Sequence, residues 1–156
     1  MIKEICFDMD FTLAALYDVP HWLEMLRAYD PTPYEVAEPM LDMGLLAEAL
    51  QRLKTFGITI SIVTWLSKDS TPAYDEAVRE AKKEWLDRYG FPYDHFHGVK
   101  YGATKADSVR KRIHDGEEAI LIDDNAKVRE GWHLGATIDP TAENIIEALK
   151  ELLKEE

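Results

Sequence analysis

The spacing of apolar residues along the chain changes repeatedly between a strand-like and a helix-like period. Three short apolar runs, at residues 5–7, 58–64 and 119–122, predict buried strands, and weaker patterns at 95–99 and 136–138 predict two more. Between them, apolar positions three and four residues apart predict helices at 20–28, 43–56, 72–89, 105–113, 126–133 and 140–153. Residues typical of helix N-termini support two of these predictions. Asp42 is a candidate N-cap for the helix at 43–56, and Thr71 with Pro72 suits the N-cap and first position of the helix at 72–89.

Strands that alternate with helices in this way predict an α/β fold. We expect a Rossmann-like three-layer α/β/α sandwich with a parallel sheet, right-handed crossovers and helices on both faces. A length of 156 residues suits one domain, spanning 1–156. Segment 13–43 is longer than a simple crossover requires, so it is the candidate for a small lid.

The end of the first predicted strand carries two carboxylates. Asp8 and Asp10 are two residues apart, and side chains alternate along a strand, so both point to the same side if the extended geometry continues. Adjacent carboxylates repel each other unless a cation or a shared proton relieves them. Taken alone, the pattern is equally compatible with a strand followed by an acidic turn.

Later segments of the chain deliver more polar residues to the same predicted edge of the sheet. Ligands of open α/β sheets bind outside the carboxyl ends of the strands, where Thr64, Asp123 and Asp124 are expected, with Lys105 in the first turn of a helix. A phosphoryl group would be repelled by these carboxylates unless Mg²⁺, which prefers oxygen ligands, lay between them. A lysine and a hydroxyl are suitable partners for phosphate oxygens.

Composition and charge narrow the classes of function. The chain is 46% hydrophobic and 31% charged, as expected for a globular protein, and its net charge of −12 disfavours binding to long nucleic acids. The single cysteine, Cys6, is expected to be a core residue. Neither a signal-peptide pattern nor a membrane-spanning run is apparent, so we expect an intracellular, cytoplasmic protein without a membrane partner.

The order of these motifs resembles the haloacid dehalogenase (HAD) superfamily of aspartate-nucleophile phosphohydrolases. The resemblance covers the chain from the D-x-D-x-T motif that begins at Asp8 to the acid pair that ends at Asp124. It implies that Asp8 is the nucleophile and Asp10 the general acid/base. It further implies that Thr64 and Lys105 hold the phosphoryl group. The Mg²⁺ ligands that it implies are Asp8, Asp10 through its carbonyl, Asp123 and Asp124.

The chain departs from the pattern of this family at two places. Phe11 stands where the family often has glycine, so we expect the turn after the second aspartate, or the surface that faces the phosphate, to differ from that of the family. The usual large cap domain has no counterpart beyond segment 13–43 and the loop at 65–71. The acid pair and the small size resemble deoxyribonucleotidase-like members, whereas the aromatic residue at position 11 and the near absence of a cap resemble small magnesium-dependent phosphatases.

Several other residues allow two interpretations. Trp65 could stack on an aromatic part of a substrate or pack against the lid. Lys105 is preferred to Lys100 as the phosphate partner because it lies at a predicted helix N-terminus, which favours anions. His21 and Trp22 could belong to the lid or cover the core. The remaining histidines lack metal-ligand spacing and are expected to be surface or packing residues: His95, His97, His114 and His133.

The sequence therefore predicts a Mg²⁺-dependent phosphomonoester hydrolase. The expected substrate is a small phosphorylated metabolite, with a nucleotide as one option, and the expected intermediate is an aspartyl-phosphate. Alternatives are a phosphatase of a phosphoprotein or a nucleic-acid end, and a non-catalytic phosphate- or metal-binding module of the same fold. A signalling receiver domain is disfavoured, because receivers place their acid pair after the first strand. Both a monomer and a homodimer remain open.

Overall fold

The computed structural model describes residues 1–155 and contains a five-stranded, entirely parallel sheet. Its strands are β1 (Ile2–Phe7), β2 (Thr59–Trp65), β3 (His95–Val99), β4 (Glu118–Ile122) and β5 (Thr137–Ile138). They lie side by side in the order β3-β2-β1-β4-β5. This order confirms the predicted Rossmann-like α/β fold. Because β1 is central and the order reverses beside it, the carboxyl end of β1 is a natural ligand site.

Six helices accompany the sheet, and the two predicted start signals are confirmed. The helices are α1 (Trp22–Arg27), α2 (Thr32–Val36), α3 (Met43–Thr55), α4 (Pro72–Arg88), α5 (Ala126–Glu130) and α6 (Ile145–Glu155). The Asp42 carboxylate caps α3 by accepting from the Leu45 amide, and the Thr71 hydroxyl caps α4 by accepting from the Tyr74 amide.

The largest error of the sequence prediction lies between β3 and β4. The predicted helix over 105–113 is two short 3-10 turns, Lys105–Ser108 and Arg110–Arg112. Long-range contacts hold this segment, because Val109 is buried under the sheet and the Arg112 guanidinium donates to the buried Glu4 carboxylate at 2.7 and 3.0 Å. Tertiary contacts here override the helical period of the sequence.

Smaller differences concern the ends of helices and one helix that was not predicted. Helix α2 was not predicted; the Asp30 carboxylate accepts from the Thr32 amide at 2.9 Å and organises the turn at the start of this helix. Helix α5 ends three residues before the predicted end at His133. Helix α6 begins at Ile145, not at residue 140, because Asp139 holds Thr141 in a turn.

Alternate residues of the strands form two cores, one on each face of the sheet. One face carries Ile5, Phe7 and Ile62 among others, and it packs against α3, α4 and α6. The other face carries Cys6 and is covered by residues of the 3-10 segment and by Trp132. Cys6 is fully buried, as predicted.

Residues of segment 13–43, the candidate lid, line the same cavity as the acids at the carboxyl ends of the strands, and the role of this segment as a lid stays a prediction. The segment contains α1 and α2; α2 packs on α4, and the Trp85 indole donates to the Ala37 carbonyl at 2.7 Å. Within residues 1–155, no helix is both long enough and apolar enough to cross a membrane.

Candidate active site

A tight turn follows β1 and carries the first motif. The amides of Thr12, Leu13 and Ala14 converge on the carbonyl of Met9 at 2.8 to 3.1 Å. Phe11 has φ of 62°, a left-handed conformation that costs a residue with a Cβ about 1 kcal/mol. The chain therefore makes a turn that suits glycine, although it carries phenylalanine there. The ring of Phe11 lies 5.6 Å from that of Tyr17, between centroids.

The acids that end β1 and β4 meet at one rim of the sheet. Oxygen atoms of Asp8, Asp123 and Asp124 lie within 4.8 Å of one another. The Lys105 ammonium is buried between two of them, 2.9 Å from Asp8 Oδ1 and 2.7 Å from Asp123 Oδ2. The structure thus brings together four of the residues that the sequence placed at this edge.

A backbone amide, a guanidinium and a hydroxyl hold these aspartates in place. The Asn125 amide donates to Asp123 Oδ1 at 2.9 Å, and the Arg129 guanidinium donates to the Asp123 carbonyl at 2.9 Å. The Thr12 hydroxyl lies 3.0 Å from Asp8 Oδ2 and 3.4 Å from Asp124 Oδ1. A hydroxyl has one proton, so it donates to one of these carboxylates at a time.

The carboxylates carry more negative charge than the single ammonium between them offsets. Burial, with Asp8 nearby, raises the pKa of Asp123 to about 6 and that of Asp124 to about 8. Burial acts to lower the pKa of Lys105, but Asp8 and Asp123 outweigh it and raise that pKa. Three hard oxygen donors with excess negative charge fit a divalent cation such as Mg²⁺. Asp8, Asp123 and Asp124 are the residues that could hold it.

Asp10 has a partner that the sequence analysis missed. The Lys82 ammonium, on α4, lies 3.0 Å from Asp10 Oδ2, and the lysine side chain is 1% exposed. Burial raises the pKa of Asp10, and Lys82 offsets part of that increase. One sequence signal could have revealed this lysine, because it lies four residues after Val78 and three before Trp85, within the apolar face of α4.

Thr64 and Trp65, at the end of β2, differ in their exposure to the site. Thr64 is fully buried and lies behind the cavity wall, where its hydroxyl accepts from Lys82 at 2.6 Å. Trp65 lines the cavity, and its indole donates to the Ala103 carbonyl at 2.9 Å. Its ring lies 5.1 Å from the ring of Tyr101 and 5.5 Å from the Lys105 ammonium. Substrate binding by Thr64 stays a prediction.

The remaining candidates from the sequence divide between the site and the surface. Lys105 lines the cavity, whereas Lys100 is exposed at the end of β3 and does not line it. Trp22 lines the cavity as part of the lid, whereas His21 lies at the start of α1 and contacts Glu24. His97 lies on the face of the sheet beside Arg112, away from the acids.

A cavity of about 520 Å³ lies between the acids and the lid. Asp8, Asp10, Asp123 and Asp124 line one side of it. Six aromatic residues contribute to its other walls: Tyr17, Trp22, Tyr29, Tyr34, Trp65 and Tyr101. The volume is in the range of small-molecule sites, and the combination of an aromatic wall with a polar floor suits a ligand that has a flat apolar part and an anionic part.

Comparisons with known proteins agree with this architecture. A chain of the Pnkp1/Rnl/Hen1 RNA repair complex is similar over 88% of this chain and 42% of its own, at 18% identity and a TM-score of 0.59. The D,D-heptose 1,7-bisphosphate phosphatase from Burkholderia thailandensis is similar over 86% of this chain and 74% of its own, at 16% identity and a TM-score of 0.52. No protein-family model and no curated protein matches the sequence.

These likenesses establish the fold. This chain shares the α/β fold of both structures, in agreement with the α/β fold that the alternation of strands and helices predicted, and its resemblance to the HAD superfamily stays a prediction. It spans less than half the length of the chain from the RNA repair complex.

Proposed function

We propose that the protein is a phosphomonoester hydrolase that works through an aspartyl-phosphate on Asp8. The observation that carries the proposal is the meeting of Asp8 and Asp123 on Lys105, at 2.9 and 2.7 Å, at the carboxyl end of the central strand. The phosphatase among the similar structures supports the same class of reaction. A chance acidic turn after β1 does not explain why a buried ammonium and the end of a second strand both lie beside it.

The residues of the chain account for both halves of the reaction. The Asp8 carboxylate attacks phosphorus, and the ester P–O bond breaks while Asp10 donates its proton to the leaving oxygen. Water then attacks the phosphoryl group on Asp8, and Asp10 takes a proton from that water. The P–O bond to Asp8 breaks, which releases inorganic phosphate and restores both carboxyl groups.

Positive charge at the site permits the approach of an anionic substrate. Lys105 offsets the charge of Asp8 and Asp123 and is close enough to Asp8 to meet an oxygen of the phosphoryl group that forms there. A Mg²⁺ ion held by Asp8, Asp123 and Asp124 would supply further charge stabilisation for the phosphoryl oxygens.

The cavity supports a small aromatic phosphomonoester, such as a nucleotide, as the substrate. Trp65 and Tyr101 flank the catalytic acids on one side, and Tyr17 and Trp22 form a second aromatic pair on the lid, 4.8 Å apart between centroids. A flat base or phenyl ring can stack on such surfaces. The net charge of −12 weighs against a long polyanion.

A second candidate, the phosphorylated end of a nucleic acid, is favoured by one observation. Arg27 and Lys68 line the cavity, and neither makes an ion pair with the rest of the described chain. They could meet the phosphate that follows a terminal nucleotide. One of the similar structures is a chain of an RNA repair complex.

The test is an assay of hydrolysis with an aryl phosphate and Mg²⁺, followed by a panel of nucleotides and short 5′- or 3′-phosphorylated oligonucleotides. We expect Asp8→Asn and Asp10→Asn to lose about 10²-fold or more of the rate, since each removes a reacting group. Asp115→Asn, at an exposed turn, is the matched control and should retain full activity. Full activity in both site variants would refute the assigned roles. Higher kcat/KM for the oligonucleotides would favour the second candidate.

A further inference from the structure

The Lys82 ammonium is held by three acceptors from two different segments. Its donors reach Asp10 Oδ2 at 3.0 Å, Thr64 Oγ1 at 2.6 Å and the Trp65 carbonyl at 3.0 Å. An ammonium has three N–H donors, so these three bonds use all of them. The position of the nitrogen atom is therefore fixed by the end of β2, and it in turn fixes one oxygen of the carboxylate that follows β1.

From this geometry we infer that Lys82 is a positioning residue for Asp10. It ties Oδ2 to the end of β2 and leaves Oδ1, which has no hydrogen-bond donor among residues 1–155, to exchange a proton with the substrate. The inference rests on the proposed hydrolase function, because it assigns Lys82 a role through the general acid/base of that reaction. Thr64 then has a role that needs no contact with substrate, as an anchor for the lysine.

The surroundings of Lys82 indicate that it positions Asp10 and does more than offset the negative charge of the site. The lysine is 1% exposed on a helix that otherwise presents apolar residues to the core, and burying an ammonium is costly unless its bonds are satisfied. The Asp10 carboxylate is 19% exposed and lines the cavity, so part of it stays accessible while Lys82 holds one of its oxygens. The Tyr34 ring, 5.0 Å from the ammonium between Nζ and the ring centroid, closes the remaining side.

The role can be tested by the leaving-group dependence of the rate. An aryl phosphate with an electron-poor ring releases a stable anion and has little need of a proton donor, whereas an alkyl phosphate depends on one. In single turnover, we expect Lys82→Met to slow release of the alcohol from the alkyl phosphate about 10²-fold and release of the phenolate from the aryl phosphate about threefold or less. Lys83→Met, which removes the neighbouring, more exposed lysine of α4, is the matched control and should leave the ratio of the two rates unchanged.

Two further measurements test whether Lys82 acts through Asp10. In the Asp10→Asn background, removal of Lys82 should cost nothing more on the alkyl substrate, because the residue through which it acts is already lost. If Lys82→Met does not fold, Thr64→Val decides the question, since it removes one acceptor at constant volume and should shift the same ratio in the same direction. Equal slowing of leaving-group release from both substrates by the folded variant would overturn the inference while leaving the proposed hydrolase intact. A wild type that hydrolyses neither substrate would refute the proposed function itself.

Discussion

At the scale of single residues, the site is a set of buried charges that balance one another. Lys105 faces Asp8 and Asp123, while Lys82 faces Asp10, and both lysines are at most 3% exposed. Each ammonium is costly to bury and is retained because the carboxylates need it. Of the four acids, Asp8 and Asp123 therefore share Lys105, and Asp10 pairs with Lys82. Asp124 has no lysine partner in the described chain.

Replacing Lys105 should make the stability of the fold depend on a divalent cation. We expect Lys105→Met to lower the free energy of unfolding by about 3 kcal/mol without metal, because two buried carboxylates lose their partner. Mg²⁺ should then stabilise the variant more than the wild type, since the cation replaces the lost positive charge. Urea denaturation with and without Mg²⁺ measures both effects.

Lys100→Met is the matched control, because Lys100 is an exposed lysine of the same connection between β3 and β4. It should change neither the stability nor its response to Mg²⁺. Equal stabilisation of wild type and Lys105→Met by the ion would contradict the idea that a cation at these acids replaces the charge of Lys105, and no stabilisation of either protein would contradict a cation site there.

At the scale of elements, β1 is held to the segment after β3 by a buried ion pair. The Glu4 carboxylate, 1% exposed, accepts two bonds from Arg112 and one from the Ser61 hydroxyl at 2.5 Å. Burial acts to raise the pKa of Glu4, but these hydrogen bonds and the charge of Arg112 outweigh it and lower that pKa. The 3-10 turns at 105–112, and with them Lys105, are anchored to the sheet through this contact.

The ion pair predicts how stability depends on pH. The folded-state pKa of Glu4 is lowered, so the pair stabilises the fold above the ordinary carboxylate pKa of about 4.3, and this stabilisation is lost as the pH falls through the lowered value. We expect Glu4→Gln to be less stable than wild type by about 2 kcal/mol near neutral pH, with a difference that narrows in acid. Chemical denaturation across the pH range checks this.

The half-buried Glu118, on the neighbouring β4, makes no ion pair with other described residues. Glu118→Gln should therefore leave the pH profile of stability close to that of the wild type. A Glu4→Gln variant with a constant deficit at all pH values would show that the charge of Glu4 is not what stabilises the fold.

The sequence was sufficient for those elements whose signals are local. Period and capping residues correctly predicted α3 and α4, and the apolar runs predicted the strands, because these depend on neighbours within a few residues. The segment 105–113 was predicted wrongly because its conformation depends on Arg112 reaching Glu4, more than a hundred residues away in sequence. Lys82 was missed for a related reason, since its partners lie on other elements.

At the scale of the whole molecule, the sheet order explains how distant motifs form one site. The central strand β1 lies between β2 and β4, so residues near positions 8, 64 and 123 end side by side although they are far apart in sequence. The lid of residues 13–43 and the aromatic loop residues then enclose the space above them. The motif order predicted the convergence of Asp8, Lys105 and Asp123, whereas the shape of the cavity could not be predicted, because it depends on how the lid packs.

The most direct test of the account is to identify the residue that receives the phosphoryl group. Asp10→Asn is the variant to use, because without its general base the hydrolysis of an intermediate should slow and the intermediate should accumulate. After mixing with an aryl phosphate and Mg²⁺, the protein is quenched in acid, digested and analysed by mass spectrometry. We predict one added phosphoryl group on Asp8, and none when Asp8→Asn is combined with it. A phosphoryl group on another residue, or undiminished turnover by Asp8→Asn, would contradict the account.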